Sequence, residues 1–314
     1  MPIPPQVMDQ RVAIVMGLHD AGDPLRAQLD SYLDQSWPHW DLHIGDDGAS
    51  AQDLAHIDSF RQKAGQGHGV TVTPGPKQGF VRNYMRLLCD LPADTVFAAL
   101  SDQDDIWLPA KLERALAALH PVTIPAFYCG ARLIWNPVTD RRGPSRPLRR
   151  VPSFRNALVE NIATGNTIVL NRAALDLIRR SPPEAGAVFA HDWWLYLLIT
   201  GAGGQVIHDP DPQILYRQHG ANLVGAGELR RNWIAARLRV AGGDFRARVD
   251  RNIAALDAAR DLLTVENRAL LDRFAAARRA PLPARLRRIG GLGLYRQDRL
   301  SQLGLWGALA LARI

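Results

Sequence analysis

The chain has 314 residues, 47% of them hydrophobic, which suffices for a full core in one large domain or in a domain with an appendage. Two cysteines, Cys89 and Cys129, offer no disulfide framework and no metal-ligand spacing, so a reducing compartment is expected. The net charge of +7 is uneven: from Glu228 onward 18 Arg stand against 8 acidic residues, a balance of +10 that leaves −3 for the first 227 residues. Nearly all the basic residues are Arg, with Lys only at 63, 77 and 111. This asymmetry points to an acidic partner for the tail: an anionic membrane surface, a polyphosphate lipid or nucleic acid. The opening Met1-Pro2-Ile3-Pro4-Pro5 has no basic segment followed by an apolar run, so no signal peptide is expected. No apolar stretch is long enough to predict a membrane-spanning helix.

Residues 11–135 alternate strand-like and helix-like patterns. Arg11 to Leu18 reads as a buried strand, and Asp23-Pro24 opens a helix running to about Gln35. Asp41 to Gly45 is a second strand ending at Asp46-Asp47-Gly48. A polar helix to about Lys63 follows, then a third strand at Val70–Thr73. Lys77, Gln78, Arg82 and Asn83 gather after Thr73-Pro74-Gly75-Pro76, where the helix Phe80–Leu88 begins. They would suit a phosphate or nucleobase pocket, or simple solvent exposure. The apolar Thr95–Leu100 is the next strand, followed by Ser101-Asp102-Gln103-Asp104-Asp105-Ile106-Trp107 and a helix start near Pro109. This rhythm predicts parallel βαβ units, in which ligands sit beyond the carboxyl ends of the strands. Both acidic runs fall at such ends.

Further along, Phe127–Trp135 reads as one strand, Asn136–Pro152 as an exposed Pro- and Arg-rich loop, Ala163–Leu170 as a strand and Arg172–Arg180 as a helix. Val188–Thr200 is an apolar helix carrying His191-Asp192-Trp193-Trp194 at its start. Gln205–His208 and Gln213–Arg217 are short strands. After Glu228 the pattern turns to Ala/Arg/Leu-rich helices broken near Pro281-Leu282-Pro283 and Gly290-Gly291, the latter a flexible break rather than a phosphate loop.

Three carboxylates within four residues repel one another, and a hard divalent cation such as Mn²⁺ or Mg²⁺ resolves that repulsion; a solvated acidic turn capping the next helix is the alternative. Asp46-Asp47-Gly48 could accept hydrogen bonds from a base or ribose, or form a turn. Bulky apolar neighbours would raise the Asp192 pKa and make it a proton acceptor, with helix capping as the alternative; His191 could tune it or cap the same turn. In Tyr216-Arg217-Gln218-His219-Gly220, Arg217 can neutralise a diphosphate and His219 can ligate a metal.

In their order, these motifs resemble the family 2 glycosyltransferases, inverting enzymes of the GT-A fold. The resemblance covers about residues 11–225. It rests on the first strand and loop, Asp46-Asp47-Gly48, Gly79-Phe80-Val81-Arg82-Asn83, Ser101 to Trp107, Thr164-Gly165-Asn166-Thr167, His191 to Trp194, and Tyr216 to Asn222. The Asp-Gln-Asp-Asp-Ile-Trp form, with His-Asp-Trp-Trp and Tyr-Arg-Gln-His-Gly, is most similar to bacterial rhamnosyltransferases of cell-surface polysaccharide assembly. The resemblance implies an α/β fold: a mostly parallel, mixed sheet flanked by helices, with an Arg-rich helical C-terminal appendage. Residues 1–227 would be the catalytic domain, with a nucleotide-sugar half at about 11–106 and an acceptor half at about 107–227; residues 228–314 would be the basic helical region.

The resemblance also implies roles. Asp47, with Asp46 nearby, would contact a pyrimidine base, Asp102 ribose or metal-bound water, and Asp105 the sugar or the groups behind it. The nucleotide-sugar site would comprise His19, Asp46, Asp47, Arg82, Asp102, Gln103, Asp105 and Arg217. Asp104, Asp102 and His219 would hold the divalent cation. Asp192 would be the catalytic base, and Trp107, Thr164, Gly165, Asn166, His191, Trp193 and Trp194 would line the sugar or acceptor pocket. One departure is visible: Gly17-Leu18-His19-Asp20 stands where the family usually has a small hydroxyl residue, Tyr and Asn that hold the base.

The implied activity is metal-dependent, inverting transfer of a sugar, with dTDP-rhamnose as a candidate donor, to a lipid-linked or growing polysaccharide. The expected setting is the cytoplasm, peripheral on the inner face of the bacterial membrane through the basic tail, with no nucleic-acid partner. Two other readings remain at this point. A sugar-phosphate nucleotidyltransferase would want a Gly-rich cationic loop after the first strand, where this chain has Leu18-His19-Asp20-Ala21-Gly22. A nucleic-acid-binding protein would use the Arg-rich tail.

Overall fold

The computed structural model describes residues 9–181, 188–218 and 244–314. The chain divides into two compact units, the first made of residues 1–147, 163–180 and 204–217, the second of 148–162, 181–203 and 218–314. The division therefore does not fall at a single point near residue 227. Two segments, 148–162 and 181–203, group with the C-terminal helices because the apolar helix His191–Gly201 packs its sides among them.

Among the described residues the first unit contains eleven strands: β1 Val12–Leu18, β2 Trp40–Asp46, β3 Val70–Pro74, β4 Phe97–Ser101, β5 Ile106–Trp107, β6 Ala126–Gly130, β7 Leu133–Asn136, β8 Arg141–Pro144, β9 Val169–Asn171, β10 Gln205–Asp209 and β11 Ile214–Arg217. Seven of them form the main sheet in the order β10-β6-β9-β4-β1-β2-β3. All neighbours in it pair parallel except β9, which runs antiparallel to both β4 and β6. A continuous apolar run such as Val12-Ala13-Ile14-Val15-Met16 is what a strand covered on both faces requires, and all five residues are buried. The even positions Val12, Ile14, Met16 and Leu18 join a core built from the helices Pro24–Leu33, Ala51–Ala64 and Lys111–Leu119. The helices Phe80–Asp90 and Arg172–Arg179 pack on the opposite face. Edge-on aromatic pairs lie within that first core: Tyr32 stands 6.0 Å from Trp40 and 4.9 Å from Trp107.

The register fixes where ligands can gather. Leu18 pairs with Asp46, Asp46 with Pro74, and Met16 with Ser101, so the carboxyl ends of β1, β2, β3 and β4 share one edge. The predicted strand 127–135 is instead two strands in two sheets. The chain leaves the main sheet after Gly130 and enters a four-stranded sheet, β5-β11-β7-β8, at Leu133. Part of the predicted loop 136–152 is the hairpin strand β8, paired antiparallel to β7. Residues 165–167 form a 3₁₀ turn ahead of β9 rather than more strand. Among the described residues the second unit is helical: Phe154–Ala157, His191–Gly201, Asp244–Ala258, Val265–Arg279, Leu282–Gly290 and Arg299–Ala310. Its helix His191–Gly201 is apolar all round and buried from Trp193 to Gly201, the pattern of a core helix. Among the described residues no helix is long and apolar enough to cross a membrane.

Candidate active site

The site is assembled at the carboxyl edge of the main sheet, and its loops are pinned to one another by polar side chains. After β1, the His19 N–H donates to Gln103 Oε1 at 2.8 Å, while Gln103 Nε2 donates back to the His19 carbonyl at 2.9 Å. A glutamine used in this way acts as an extra strand rung, tying the β1 loop to the acidic run. The same loop is held from its other side by Asp53, a fully buried carboxylate that accepts the N–H groups of Ala21, Gly22 and Ser50. Burial alone would raise the Asp53 carboxyl, but those backbone bonds, with the Ser50 hydroxyl, hold it below the usual carboxylate value. Asp20 adopts φ 41°, a left-handed conformation that a non-glycine residue keeps only where its surroundings enforce it.

Asp46 and Asp47 shape the neighbouring loop. Asp46 Oδ1 accepts the N–H groups of Gly48 at 2.9 Å and Ala49 at 2.7 Å, closing a turn over the strand end. Gly48 has φ 147°, and a Cβ there would sit 2.6 Å from His19 Nδ1, so the turn needs glycine twice over. Asp47 Oδ1 accepts the Lys77 N–H at 2.7 Å, drawing the β3 loop against the β2 loop. Arg82 is exposed in the first turn of the helix Phe80–Asp90. Asn83 beside it is buried and donates to the Gly45 carbonyl at 2.7 Å.

The acidic run forms the centre. One oxygen from each of Asp102, Asp104 and Asp105 can lie within 4.8 Å of the others. Asp105 is the buried member, at 1% exposure. Asn166 Nδ2 donates to its Oδ2, and the Arg217 N–H donates to its Oδ1 at 2.9 Å. Burial first, and then the charge of Asp104, push the Asp105 carboxyl well above the ordinary carboxylate range; the bonds from Arg217 and Asn166 and the charge of Arg132 pull the other way. The Arg217 side chain crosses the run, with Nε donating to the Asp104 carbonyl at 2.8 Å and its guanidinium 4.6 Å from the centre of the Trp135 ring. Behind Asp102, Tyr84 Oη donates to the Ser101 carbonyl, and Tyr32 Oη lies 2.6 Å from Ser101 Oγ.

Three close carboxylates are a hard-oxygen donor set, and they suit Mg²⁺ or Mn²⁺. Because both Asp105 oxygens already accept hydrogen bonds, Asp102 and Asp104 are the members that would face a cation. His219 lies outside the described residues.

Several of the expected pocket residues do something else. Trp107 is 1% exposed and packs edge-on against Tyr32, with Lys111 Nζ 3.5 Å from its ring centre, so it is a core residue and not a sugar contact. Trp194 is fully buried in the second unit. Trp193 is nearly so, with Nε1 donating to the Ala157 carbonyl at 2.7 Å and its ring stacked 6.2 Å from Phe245. Both fill the helical core because the helix carrying them is apolar on every side. His191 is buried, which drives its pKa down to about 3, so it is neutral and does not tune Asp192 as a cation. Asp192 is half-buried in the first turn of that helix and accepts the Trp193 N–H at 2.6 Å. Asn166 is fully buried and supports Asp105, while Thr164 accepts Thr167 Oγ1 on its carbonyl and Gly165 sits in the buried 3₁₀ turn.

Arg132, Trp135, Asp53 and Tyr84 are site residues that sequence reasoning missed. Arg132 has its guanidinium 4.7 Å from the Tyr216 ring centre and acts electrostatically on Asp105. The only available signal was indirect, an Arg inside and a Trp at the end of a run read as one strand. Asp53 could have been found: Ser50-x-x-Asp53 is a capping box.

The profile of the family described as "Glycosyl transferase family 2" matches residues 13–177. The curated dTDP-rhamnosyl transferase RfbG of Shigella flexneri is 25% identical over 207 residues, covering 64% of this chain and 71% of that protein. Among solved structures, mannosyltransferase PcManGT from Pyrobaculum calidifontis, in complex with GDP-Man and Mn²⁺, aligns with a TM-score of 0.53 at 17% identity, over 96% of this chain and 85% of its own. S. aureus TarS 1-349 in complex with UDP-GlcNAc aligns with a TM-score of 0.55 at 13% identity, over 90% and 80%. At such identities these two speak for the fold, a GT-A architecture with a mostly parallel central sheet. The nucleotidyltransferase and nucleic-acid readings give way to a profile that spans more than half of the chain, from β1 to the helix after β9: this chain belongs to glycosyl transferase family 2 and is a glycosyltransferase.

Proposed function

We propose that the chain moves a sugar, with inversion, from a nucleotide-diphosphate sugar to a lipid-linked or growing cell-surface polysaccharide, and that the donor is dTDP-rhamnose. The observation that carries this reading is the acidic run at the end of β4, where Asp102 and Asp104 are presented beside Arg217. Nucleotide-sugar use is supported by the similar structures, which hold GDP-Man with Mn²⁺ and UDP-GlcNAc, and the rhamnosyl donor by the relative RfbG. A divalent cation held by Asp102 and Asp104 would neutralise the charge that develops on the departing diphosphate. The Arg217 guanidinium, fixed by Trp135 and the Asp104 carbonyl, adds a second positive charge to the same region. His19 and Asp47, at the ends of β1 and β2, are the groups we assign to the base. The bond from the anomeric carbon to the phosphate oxygen breaks as the acceptor oxygen bonds to that carbon from the opposite face. Asp192 takes the acceptor's hydroxyl proton in this reading, a role worth about 10²–10⁴-fold. We further propose that the protein works in the cytoplasm on the inner face of the membrane, with its basic C-terminal region against anionic lipid.

The test is a thermal-shift panel of nucleoside diphosphates with and without Mn²⁺, followed by a transfer assay that measures diphosphate release. Thymidine diphosphate with Mn²⁺ should stabilise the protein, Asp104→Ala should remove the Mn²⁺-dependent part, and Asp192→Asn should abolish release while leaving the nucleotide shift intact. A uridine preference would overturn the rhamnose donor. Stabilisation by diphosphate that is indifferent to Mn²⁺ and to Asp104→Ala would overturn the metal assignment.

A further inference from the structure

The helix Arg299–Ala310 carries two apolar faces. Leu305, Ala308 and Leu309 point into the second unit and are 2%, 7% and 0% exposed. On the opposite side lie Leu300, Leu303, Gly304, Gly307 and, just past the helix end, Leu311. Their spacing places them on one side of the helix, within about a third of its circumference. The leucines of this outer face are 60%, 66% and 72% exposed. Glycines between them keep the face low, so the leucines project. Single exposed leucines need no explanation, but a second apolar stripe at helical spacing does.

The charge around the stripe identifies what it meets. From residue 273 to 314 the sequence holds nine Arg and one acidic residue, Asp298. Asp298 caps the helix by accepting the Ser301 N–H at 2.8 Å. Arg287, Arg288, Arg299 and Arg313 are exposed. Helix Leu282–Gly290 is joined to the same helix through Arg285, which donates to the Leu309 carbonyl at 3.1 Å. A second copy of the chain meeting this face about a two-fold axis would bring arginine against arginine. A nucleic-acid backbone would use the arginines but would give the leucines nothing to bury against. An anionic lipid surface satisfies both: acyl chains take the leucines, and headgroup phosphates take the guanidinium groups.

We infer that Leu300, Leu303 and Leu311 form a membrane-insertion face, so that the helix Arg299–Ala310 lies in the plane of an anionic lipid surface with the flanking arginines on the headgroups. The inference deepens the inner-face location proposed above, and it adds that apolar insertion, not charge alone, holds the protein there. It is independent of the sugar-transfer chemistry.

The test is flotation of the full chain with phosphatidylcholine vesicles, with and without about 30% phosphatidylglycerol. Binding should be about tenfold tighter to the anionic vesicles, and a residual part should survive about 0.5 M salt, where exposed charges are screened. Leu300→Ser/Leu303→Ser, which keeps every charge, should lose about tenfold in binding and all of the salt-resistant part. Arg287→Gln/Arg288→Gln should lose the preference for anionic lipid. Leu311→Ser, outside the helix, gives the same reading should the double variant lose its far-ultraviolet helix signal. Equal binding to both vesicle types overturns the inference, as does serine-variant binding equal to wild type, or a dimer that the serine variant dissociates without vesicle binding. Because the readout is lipid binding, failure here leaves the transfer assay untouched, and failure of the transfer assay leaves this result standing.

Discussion

Lys111 offers a calculable test of how the first unit is packed. Its side chain is fully buried at the start of the helix Lys111–Leu119, and its Nζ has no hydrogen-bond acceptor among the described residues. Burial lowers its pKa from 10.5 to about 7. That gap corresponds to about 5 kcal/mol against the charged form in the folded chain. The Trp107 ring 3.5 Å beneath the ammonium returns about 2 kcal/mol, leaving a net cost of about 3 kcal/mol. The unfolded chain keeps its proton up to the higher value, so between the two values it binds more protons and stability rises with pH. The cost is therefore complete below the folded-state value, which the Trp107 contact lifts part of the way back, and gone by the unfolded value. Lys111→Met keeps the aliphatic contact with Trp107 and removes the charge. At about pH 6 it should gain about 3 kcal/mol, several degrees in Tm, and the gain should shrink toward zero as pH approaches 10. Melting curves of both proteins across that range measure it, and comparing the pair cancels the other titrating groups. Equal melting at about pH 6, or a gap that widens with pH, would refute the reasoning.

Asn166→Ala removes a donor from the buried Asp105 carboxylate and should cost about 2–3 kcal/mol, read from denaturant midpoints. Gly45→Ala would place a Cβ 2.1 Å from Asn83 Oδ1, on a side chain that is itself buried and bonded to the Gly45 carbonyl. It should lose about 1–3 kcal/mol, and Asn83→Ala in the same chain should restore part of it. Arg217→Lys keeps the charge but loses the Nε bond to the Asp104 carbonyl and the stack on Trp135. Nucleoside diphosphate affinity should fall about tenfold by calorimetry, and unchanged affinity would remove Arg217 from the diphosphate site.

The strands and helices around the nucleotide half were legible because each obeys a local rule. β1 is apolar throughout since both its faces are covered, and Asp23-Pro24 starts its helix where a proline is tolerated. Reading failed where tertiary context decides. Residues 127–135 are strand-like throughout, and nothing local says that the chain changes sheets between Gly130 and Leu133. The tryptophans misled for a related reason. In sequence, Trp107, Trp193 and Trp194 look like sugar platforms beside acidic groups, but an aromatic ring is also the largest apolar filler available, and three-dimensional packing chose that use. Trp135, which no motif marked, is a ring that does meet a cation at the site.

The acidic run itself shows why motif order carried more than any one motif. Its geometry depends on partners far along the chain: Gln103 is clasped by His19 across 84 positions, and Asp105 is bonded by Asn166 and Arg217 across 61 and 112. Each of these residues is unremarkable where it stands in the sequence. They acquire meaning only because β9 runs backward beside β4, setting the 165–167 turn near Asp105, and because β11 pairs with β5 immediately after the run. Asn166 and the Arg217 backbone hold the same carboxylate, so their losses should not add. Once one bond is gone, Asp105 has less reason to remain ionised, and the second bond is worth less than it was. A double-mutant cycle of Asn166→Ala with a β11 change that displaces the Arg217 N–H should therefore show coupling of about 1 kcal/mol or more. Strict additivity would mean that the two groups act on separate states of the site, and that the buried carboxylate is not the hinge on which the acidic run is set.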